Sequence, residues 1–258
     1  MQSDPTTHDL SRPFDGVLEP VTLVLTGQSI AAERNPSMPL YQLSRDVTAL
    51  SSKPSSAKFE RVEYEDEDLV KAGSTASLDQ QCRHLFYLTH PLGAQYRTDV
   101  PAYYMTSASP LMPGNVFFQV SKALLQKPEF KAILSPGKTS ADSDLFDPGT
   151  QKALFHIKPK WKGGQYQWID SDGRKVAYES SKSNEHKLVI LEPMNRVTRD
   201  LLVALWALRL WHDVAESRTA KREELENLTA PETPSPYPDM KWVKRTGVLG
   251  AAAGAGAC

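Results

Sequence analysis

The sequence predicts an all-β chain with one buried helix: a closed antiparallel barrel of about twelve strands around a C-terminal apolar α-helix. Three observations lead there. Leu201 to Trp211 carries one charge in eleven residues, and a helix apolar on every face is normally enclosed on every side. It is shorter than the roughly 20 apolar residues a bilayer span needs. Ahead of it lie ten or more short strand-like runs with no helices between them, which argues against a βαβ arrangement. Closure manages the edges of so many strands, and a barrel of about twelve has an interior wide enough to need a filler.

Residues 1–16 are polar and turn-rich and read as a loose lead-in. Val21–Thr26 is a β-branched and Leu run that stops at Gly27-Gln28, and Ser29–Glu33 resumes it, a hairpin pattern. Asn35-Pro36-Ser37 has turn chemistry, and Leu40–Val47 is the third strand. The Ser/Pro-rich stretch Ser51–Ser56 leads into Lys58–Tyr64. There Phe59, Arg61 and Glu63 alternate imperfectly with Glu60, Val62 and Tyr64. Glu65–Gln81, opening on an acidic run, reads as a solvated loop. His84–His90, Ala102–Thr106, Val116–Val120 and Phe130–Leu134 follow as strands, with Pro110 and Pro113-Gly114 between the second and third. Ser135–Thr150 is loop.

Leu154–Ile157, Gln165–Ile169, Lys175–Glu179 and Lys187–Leu191 read as a four-strand meander. Its middle turn, Asp170-Ser171-Asp172-Gly173, suits a tight hairpin. Glu192-Pro193 breaks the sheet pattern. Asn195 or Thr198 can cap the helix, expected over 196–217. Asp200 sits in its first turn and Arg209 can pair with Asp213 one turn on. The barrel domain is expected over 17–219, and the Pro-rich and Gly/Ala-rich residues 220–258 read as a disordered tail.

The chain has 258 residues, 40 % apolar and 24 % charged, with 19 prolines and a formal charge of −1. That balance gives no gross attraction to nucleic acid or to an anionic membrane. Cys82 and Cys258 form neither a disulfide framework nor a metal-ligand spacing. Met1-Gln2-Ser3-Asp4-Pro5 has no secretory n-region, so an intracellular setting, cytoplasmic or nuclear, is expected.

Motifs that carry chemistry are weak. Ala132–Thr139 fits a relaxed phosphate-loop pattern, with Lys138 and Thr139 in the Lys and Thr positions. The first Gly is Ala, however, Pro136 has no N–H, and the residues after Thr139 do not favour the required helix. The ordinary strand exit is the better reading. Asp170–Gly173 echoes a calcium loop that lacks its later ligands. The six histidines show no chelating spacing. His84 and His90, at the two ends of one strand, are expected on a common face but too far apart to share an ion. Cys82 reads as a plain thiol. Trp206 and Trp211 read as core. No cofactor and no catalytic residue is expected.

The basic residues are more informative. Lys158, Lys160, Lys162, Arg174, Lys175, Lys182 and Lys187 face four acidic residues (Asp170, Asp172, Glu179, Glu185) between 158 and 187, a local excess of three positive charges. Lys158, Lys160 and Lys162 alternate beside Trp161, and such a face can hold an anionic group by charge-assisted hydrogen bonds. Lysines that keep a sheet edge soluble are the plainer reading.

The opening run Val21–Val47 with its Asn35-Pro36 turn, and the closing run Gln165–Leu191 leading straight into Leu201–Trp211, resemble the tubby C-terminal, LURP-one-related and phospholipid-scramblase group. The resemblance spans about Val17 to Ser217 and is one of pattern. The palmitoylated Cys cluster and trailing membrane helix of scramblases are absent from it. It implies a non-enzymatic binding or adaptor module, in some members one that recognises a phosphoinositide head group. The ligand-binding candidates are Lys158, Lys160, Trp161, Lys162, Arg174 and Lys175, and the partner is an anionic lipid head group or a protein. The alternative is an enzyme or small-molecule carrier with a pocket that the sequence does not mark.

Overall fold

In the computed structural model, residues 16–50, 55–64, 80–94, 96–97, 100–121, 127–160, 166–180, 185–217, 219–222 and 226 are described. The strands in chain order are β1 (Val17–Leu18), β2 (Thr22–Thr26), β3 (Ser29–Ala32), β4 (Asn35–Leu43), β5 (Ser55–Tyr64), β6 (Gln80–His90) and β7 (Tyr104–Ser107). They continue as β8 (Gly114–Ser121), β9 (Glu129–Pro136), β10 (Lys152–Pro159), β11 (Tyr166–Asp170), β12 (Lys175–Ser180), β13 (His186–Ile190) and β14 (Met194–Asn195). The helix α1 is Arg196–Ala215.

Strands β2 to β13 form the closed barrel, twelve in number, each antiparallel to the one before it. Closure comes from β13 against β2, with Lys187 opposite Val24 and Leu188 opposite Leu23. Each expected strand run overlaps a barrel strand, but Leu40–Val47 runs past the end of β4 at Leu43 into bend and turn, and Ala102–Thr106 begins before β7 does. β1 and β14 add a two-stranded ribbon before the helix, and Arg199 of the helix donates to the Glu19 carbonyl at 2.9 Å.

Contacts divide the chain at Glu216, and the second unit is Ser217–Cys258. Among its described residues, the Lys221 N–H donates to the Ser217 carbonyl and Arg222 pairs with Glu226 at 2.8 Å. Trp161 and Lys162 lie outside the described residues, as does most of the expected tail.

The helix is the barrel's filling. Asn195 caps it, its side chain accepting the Thr198 N–H at 2.7 Å. Leu202, Val203, Ala204, Leu205, Trp206, Ala207, Leu208 and Trp211 are fully buried, as an all-round apolar helix requires. They meet the inward side chains of the wall, among them Leu23, Ile30, Phe59, Phe86, Leu88, Met105, Phe130, Ile157, Trp168 and Leu188. The alternation that puts these inward, at period 2, puts their neighbours outward.

Two local expectations are corrected. Asn35-Pro36-Ser37 is not a turn but the start of β4; the chain reverses one step earlier, at Glu33-Arg34, and the β3–β4 register shifts twice beside it. Such shifts let prolines 36 and 39 sit in a strand whose ladder is already interrupted. His84 and His90 do not share a face. A bulge between Phe59 and Glu60 sets His84 opposite Glu60 and Phe86 opposite Phe59, leaving Leu85 extra. His90 therefore points in, stacked on Tyr103 at 4.4 Å, while His84 packs against Tyr87 at 4.3 Å, a residue outside the core.

The phosphate-loop candidate is a strand exit. β9 ends at Pro136, Gly137 takes φ +69°, and Thr139 donates its N–H and hydroxyl to Asp142 at 2.6 and 2.9 Å. Buried Asn115 straps this loop to the barrel. It accepts the Ser107 N–H at 2.8 Å and donates to the carbonyls of Thr139 and Leu145 at 3.1 and 2.9 Å. Beside it, Gly114 sits at φ +144°, and a Cβ there would lie 2.1 Å from the Ser135 carbonyl oxygen.

Two substitutions test this account by urea denaturation. Leu205→Asp puts a carboxylate in the filled interior and should cost several kcal/mol; wild-type stability would mean the helix is not enclosed. Gly114→Ala should cost more than about 1 kcal/mol, because the backbone conformation and the carbonyl contact both oppose a side chain.

Candidate functional site

The outer face of β10, β11 and β12 gathers the cations. On β10, Phe155 and Ile157 point inward and His156 and Lys158 outward; on β11, Trp168 points inward and Gln167 outward. Register aligns Lys158, Gln167 and Tyr178 in one outward row. On β12 a bulge intervenes: Trp168 faces Ala177 while Ile169 faces Lys175, so Val176 is extra. Three positions apart, Lys175 and Tyr178 would lie on opposite faces of a regular strand; the bulge puts them on the same one.

The result is a ring with two ammonium groups over it. The Nζ atoms of Lys160 and Lys175 each lie 4.9 Å from the Tyr178 ring centroid, within cation–π range. Among the described residues neither lysine, nor Lys158, forms an ion pair. The next outward row sets Lys131 beside His156, and His156 meets Glu129 at 3.3 Å. The His156 imidazole is held below its ordinary range, first by burial and then by Lys158 beside it.

Arg174 does not belong to the set of available cations. Its guanidinium meets Asp170 at 3.0 Å and Asp172 at 2.9 Å within the hairpin turn, and Asp170 also accepts the N–H groups of Asp172 and Arg174. These same contacts use the carboxylates of the calcium-loop candidate. Lys187 is likewise occupied, by Glu33 at 2.7 Å and Glu185 at 2.8 Å. Of the six candidates, Lys158, Lys160 and Lys175 come together, Arg174 is neutralised, and Trp161 and Lys162 fall outside the described residues. Tyr178, Lys131 and His156 were not singled out in the sequence; the signal was their outward parity on strands flanking the lysines.

The interior holds a second set of charges that the sequence did not reveal. Near the start of α1, Asp200 is fully buried. It accepts the Tyr41 hydroxyl at 2.9 Å and pairs with Arg61 of β5 at 2.6 Å. Arg61 also meets Glu63, more exposed, at 2.5 Å. Near the end of α1 the signs reverse. Buried Arg209 pairs with Glu179 of β12 and with Asp213 at 2.5 Å, as its spacing to Asp213 foretold. Glu179 in turn accepts the Trp168 indole N–H at 3.0 Å. Each end thus has one guanidinium, one buried carboxylate taking an aromatic donor from the wall, and one carboxylate nearer solvent. Asp200 was expected in the first turn; the helix begins at Arg196, which puts Asp200 beyond that turn, and its partner is the wall arginine.

Burial dominates these acids differently. It raises the Asp200 carboxyl against the pull of Arg61. It pushes Glu179 up to about 7 against Arg209 and the Trp168 N–H. Burial also acts to raise Asp213, but Arg209 and His212 hold that group below its usual range. Among the described residues, no group of three or more His, Cys, Asp or Glu side chains is arranged to hold a metal, and no helix is long and apolar enough to cross a membrane.

Removing one partner of such a pair strands a buried charge, at about 3–5 kcal/mol. Arg61→Met should lose that much in urea, whereas Arg61→Met with Asp200→Asn, which keeps an acceptor for Tyr41, should recover most of it. A double variant no better than the single would rule out the ion pair as the reason. Comparison with protein-family models, with curated proteins and with solved structures finds no match to this chain.

Proposed function

We propose that the chain is a non-enzymatic intracellular binding or adaptor module, related to the tubby and LURP-one-related barrels. In this reading it takes an anionic ligand, such as a phosphorylated lipid head group, on the outer face formed by Lys158, Lys160 and Lys175 around Tyr178. The arrangement of twelve antiparallel strands around a C-terminal helix supports the kinship. The observation that carries the ligand reading is the pair of lysines sharing one tyrosine ring.

Two like charges brought to one ring by different strands repel each other and gain from an anion that bridges them. Each is 4.9 Å from the same centroid, so the two are at most 9.8 Å apart. That span suits a ligand with more than one anionic group. Charge-assisted hydrogen bonds from ammonium to phosphate are about twice as strong as neutral ones. The helix side chains occupy the barrel interior, which favours the outside for recognition.

Sedimentation with liposomes tests the reading, comparing phosphatidylcholine vesicles with vesicles that also contain phosphoinositides. Binding should require the anionic lipid and weaken with salt. Lys158→Glu, Lys160→Glu and Lys175→Glu together should weaken it about a hundredfold, at roughly 1 kcal/mol per lysine near such a surface. Arg174→Glu should change it little. Equal binding by the triple variant, or no binding by wild type, would overturn the proposal.

A further inference from the structure

Neighbouring barrel strands alternate in direction. The connections that follow β6, β8 and β10 therefore open on one rim, and those that follow β7, β9 and β11 on the other. The first rim is where α1 ends: Trp211 meets His90 at 6.2 Å and Tyr103 at 6.1 Å, on either side of the β6–β7 connection. Successive connections on one rim are two strands apart, roughly 10 Å along it.

Charge is spread unevenly over these rims. On the rim where α1 ends, the described residues of the three connections are 91–94, 96–97, 100–103, 127–128 and 160. They include Arg97, Lys127 and Lys160 and no carboxylate. Nearby carboxylates have partners of their own: Asp46 accepts the Thr48 hydroxyl at 2.6 Å, Asp213 meets Arg209, Glu185 meets Lys187 at 2.8 Å, and Glu216 accepts the Tyr103 hydroxyl at 3.5 Å. The connections on the opposite rim carry Asp142, Asp144, Asp147 and Asp172 against Lys138 and Arg174.

The basic rim also presents the most exposed large apolar side chains among the described residues, Leu92 at 76 % and Tyr96 at 84 %. They flank one closed turn, in which Gly93 takes φ +66° and its carbonyl accepts the Tyr96 N–H at 2.8 Å. Between them Ala94 is buried. Single exposed apolar residues are ordinary on a protein surface. Two on one hydrogen-bonded turn, with cations on the connections that follow, make the rim amphipathic. Leu111 is exposed too, at 62 %, but on the acidic rim. There Ser107 and Pro113, at either end of its connection, accept the N–H groups of Ser140 and Gly137 in the aspartate-bearing one.

We propose that this rim is a membrane-docking edge, on which Leu92 and Tyr96 enter the interfacial layer of a bilayer containing anionic lipid while Arg97, Lys127 and Lys160 meet its head groups. A bilayer offers both halves at once, an anionic surface that attracts Lys and Arg and apolar volume directly behind it. Tyrosine suits that boundary, its ring on the apolar side and its hydroxyl in water. A free phosphorylated ligand would use the lysines and leave Leu92 and Tyr96 without a role. The docking edge rests on the reading of the lysine face as an anionic-lipid site and adds an orientation to it. Lys160 belongs to both, and the barrel stands on the rim where α1 ends.

Two measurements on the full chain separate the edge from the lysine face. One is sedimentation with phosphoinositide-containing vesicles, the other calorimetric titration with water-soluble inositol trisphosphate. Leu92→Ser with Tyr96→Ser should weaken vesicle binding about tenfold or more, the factor that burial of one such side chain supplies, and leave the trisphosphate affinity unchanged. The vesicle binding that remains should fall more steeply with salt than that of wild type, because apolar insertion is not screened. Leu111→Ser, on the opposite rim, should change neither. Vesicle binding by the double variant equal to wild type overturns the docking edge and leaves the lysine reading standing. A wild type that binds the trisphosphate but ignores vesicles also overturns it, and limits the lysines to a soluble anion. A double variant that loses trisphosphate affinity as well overturns it too, since the turn then serves the fold or the anion rather than a bilayer. A wild type that binds neither ends both readings.

Discussion

A charge inside a barrel must find its partner there, and the arrangement of α1 follows from that constraint. The helix carries Asp200 near its start and Arg209 near its end, nine residues apart. Nine residues is two and a half turns, so the two side chains leave opposite sides of the helix about 13.5 Å apart along its axis. Arg61 on β5 and Glu179 on β12 wait on opposite walls. Sliding the helix by one turn, rotating it, or reversing it would part both pairs at once. Hydrophobic burial drives the helix in but is nearly indifferent to how it sits. The two ion pairs are what make one position better than its neighbours.

With the axis filled by Leu202 through Leu208, the features that set this barrel apart from a regular one are the irregularities of its wall. A regular strand offers alternating positions only. The bulge at Val176 breaks that rule and delivers Lys175 to the same side as Tyr178. The bulge at Leu85 does the opposite for the two histidines of β6, sending one into the core and one out. Gly114 and Asn115 form a third irregularity, where close approach of two backbones and one buried amide hold a fifteen-residue loop against the barrel.

What could be read in the sequence follows the same division. The strand runs and the helix were legible because alternation and an unbroken apolar stretch are properties of single segments. The Asp-Gly turn at 170–173 and the Arg209–Asp213 pair were legible for the same reason, their partners being close in sequence. Arg61, Glu179 and Asp200 were not, since a charge reads as surface until its partner, here 30 to 139 residues away, is known to be opposite. Lys175 was picked for its charge, but its alignment with Tyr178 depends on an extra residue that no periodicity announces. Arg174 was picked on the same ground and proved to be neutralised by its own turn.

β12 joins the two kinds of site, because Tyr178 and Glu179 are consecutive residues on opposite faces of one strand. The strand's outward side holds the ring that Lys160 and Lys175 share; its inward side holds the carboxylate that Arg209 and Trp168 bind. Moving β12 enough to loosen Glu179 from Arg209 must also move Tyr178 relative to Lys160, which is carried on β10's exit across the sheet. Coupling of this sort needs no long pathway, only a shared backbone, and it is reciprocal. An anion that fixes the two lysines around Tyr178 would hold β12 in place from outside, and the helix clamp would hold it from within. Among the described residues, Glu179 is the buried charge whose neighbour in the chain carries the ring that Lys160 and Lys175 share.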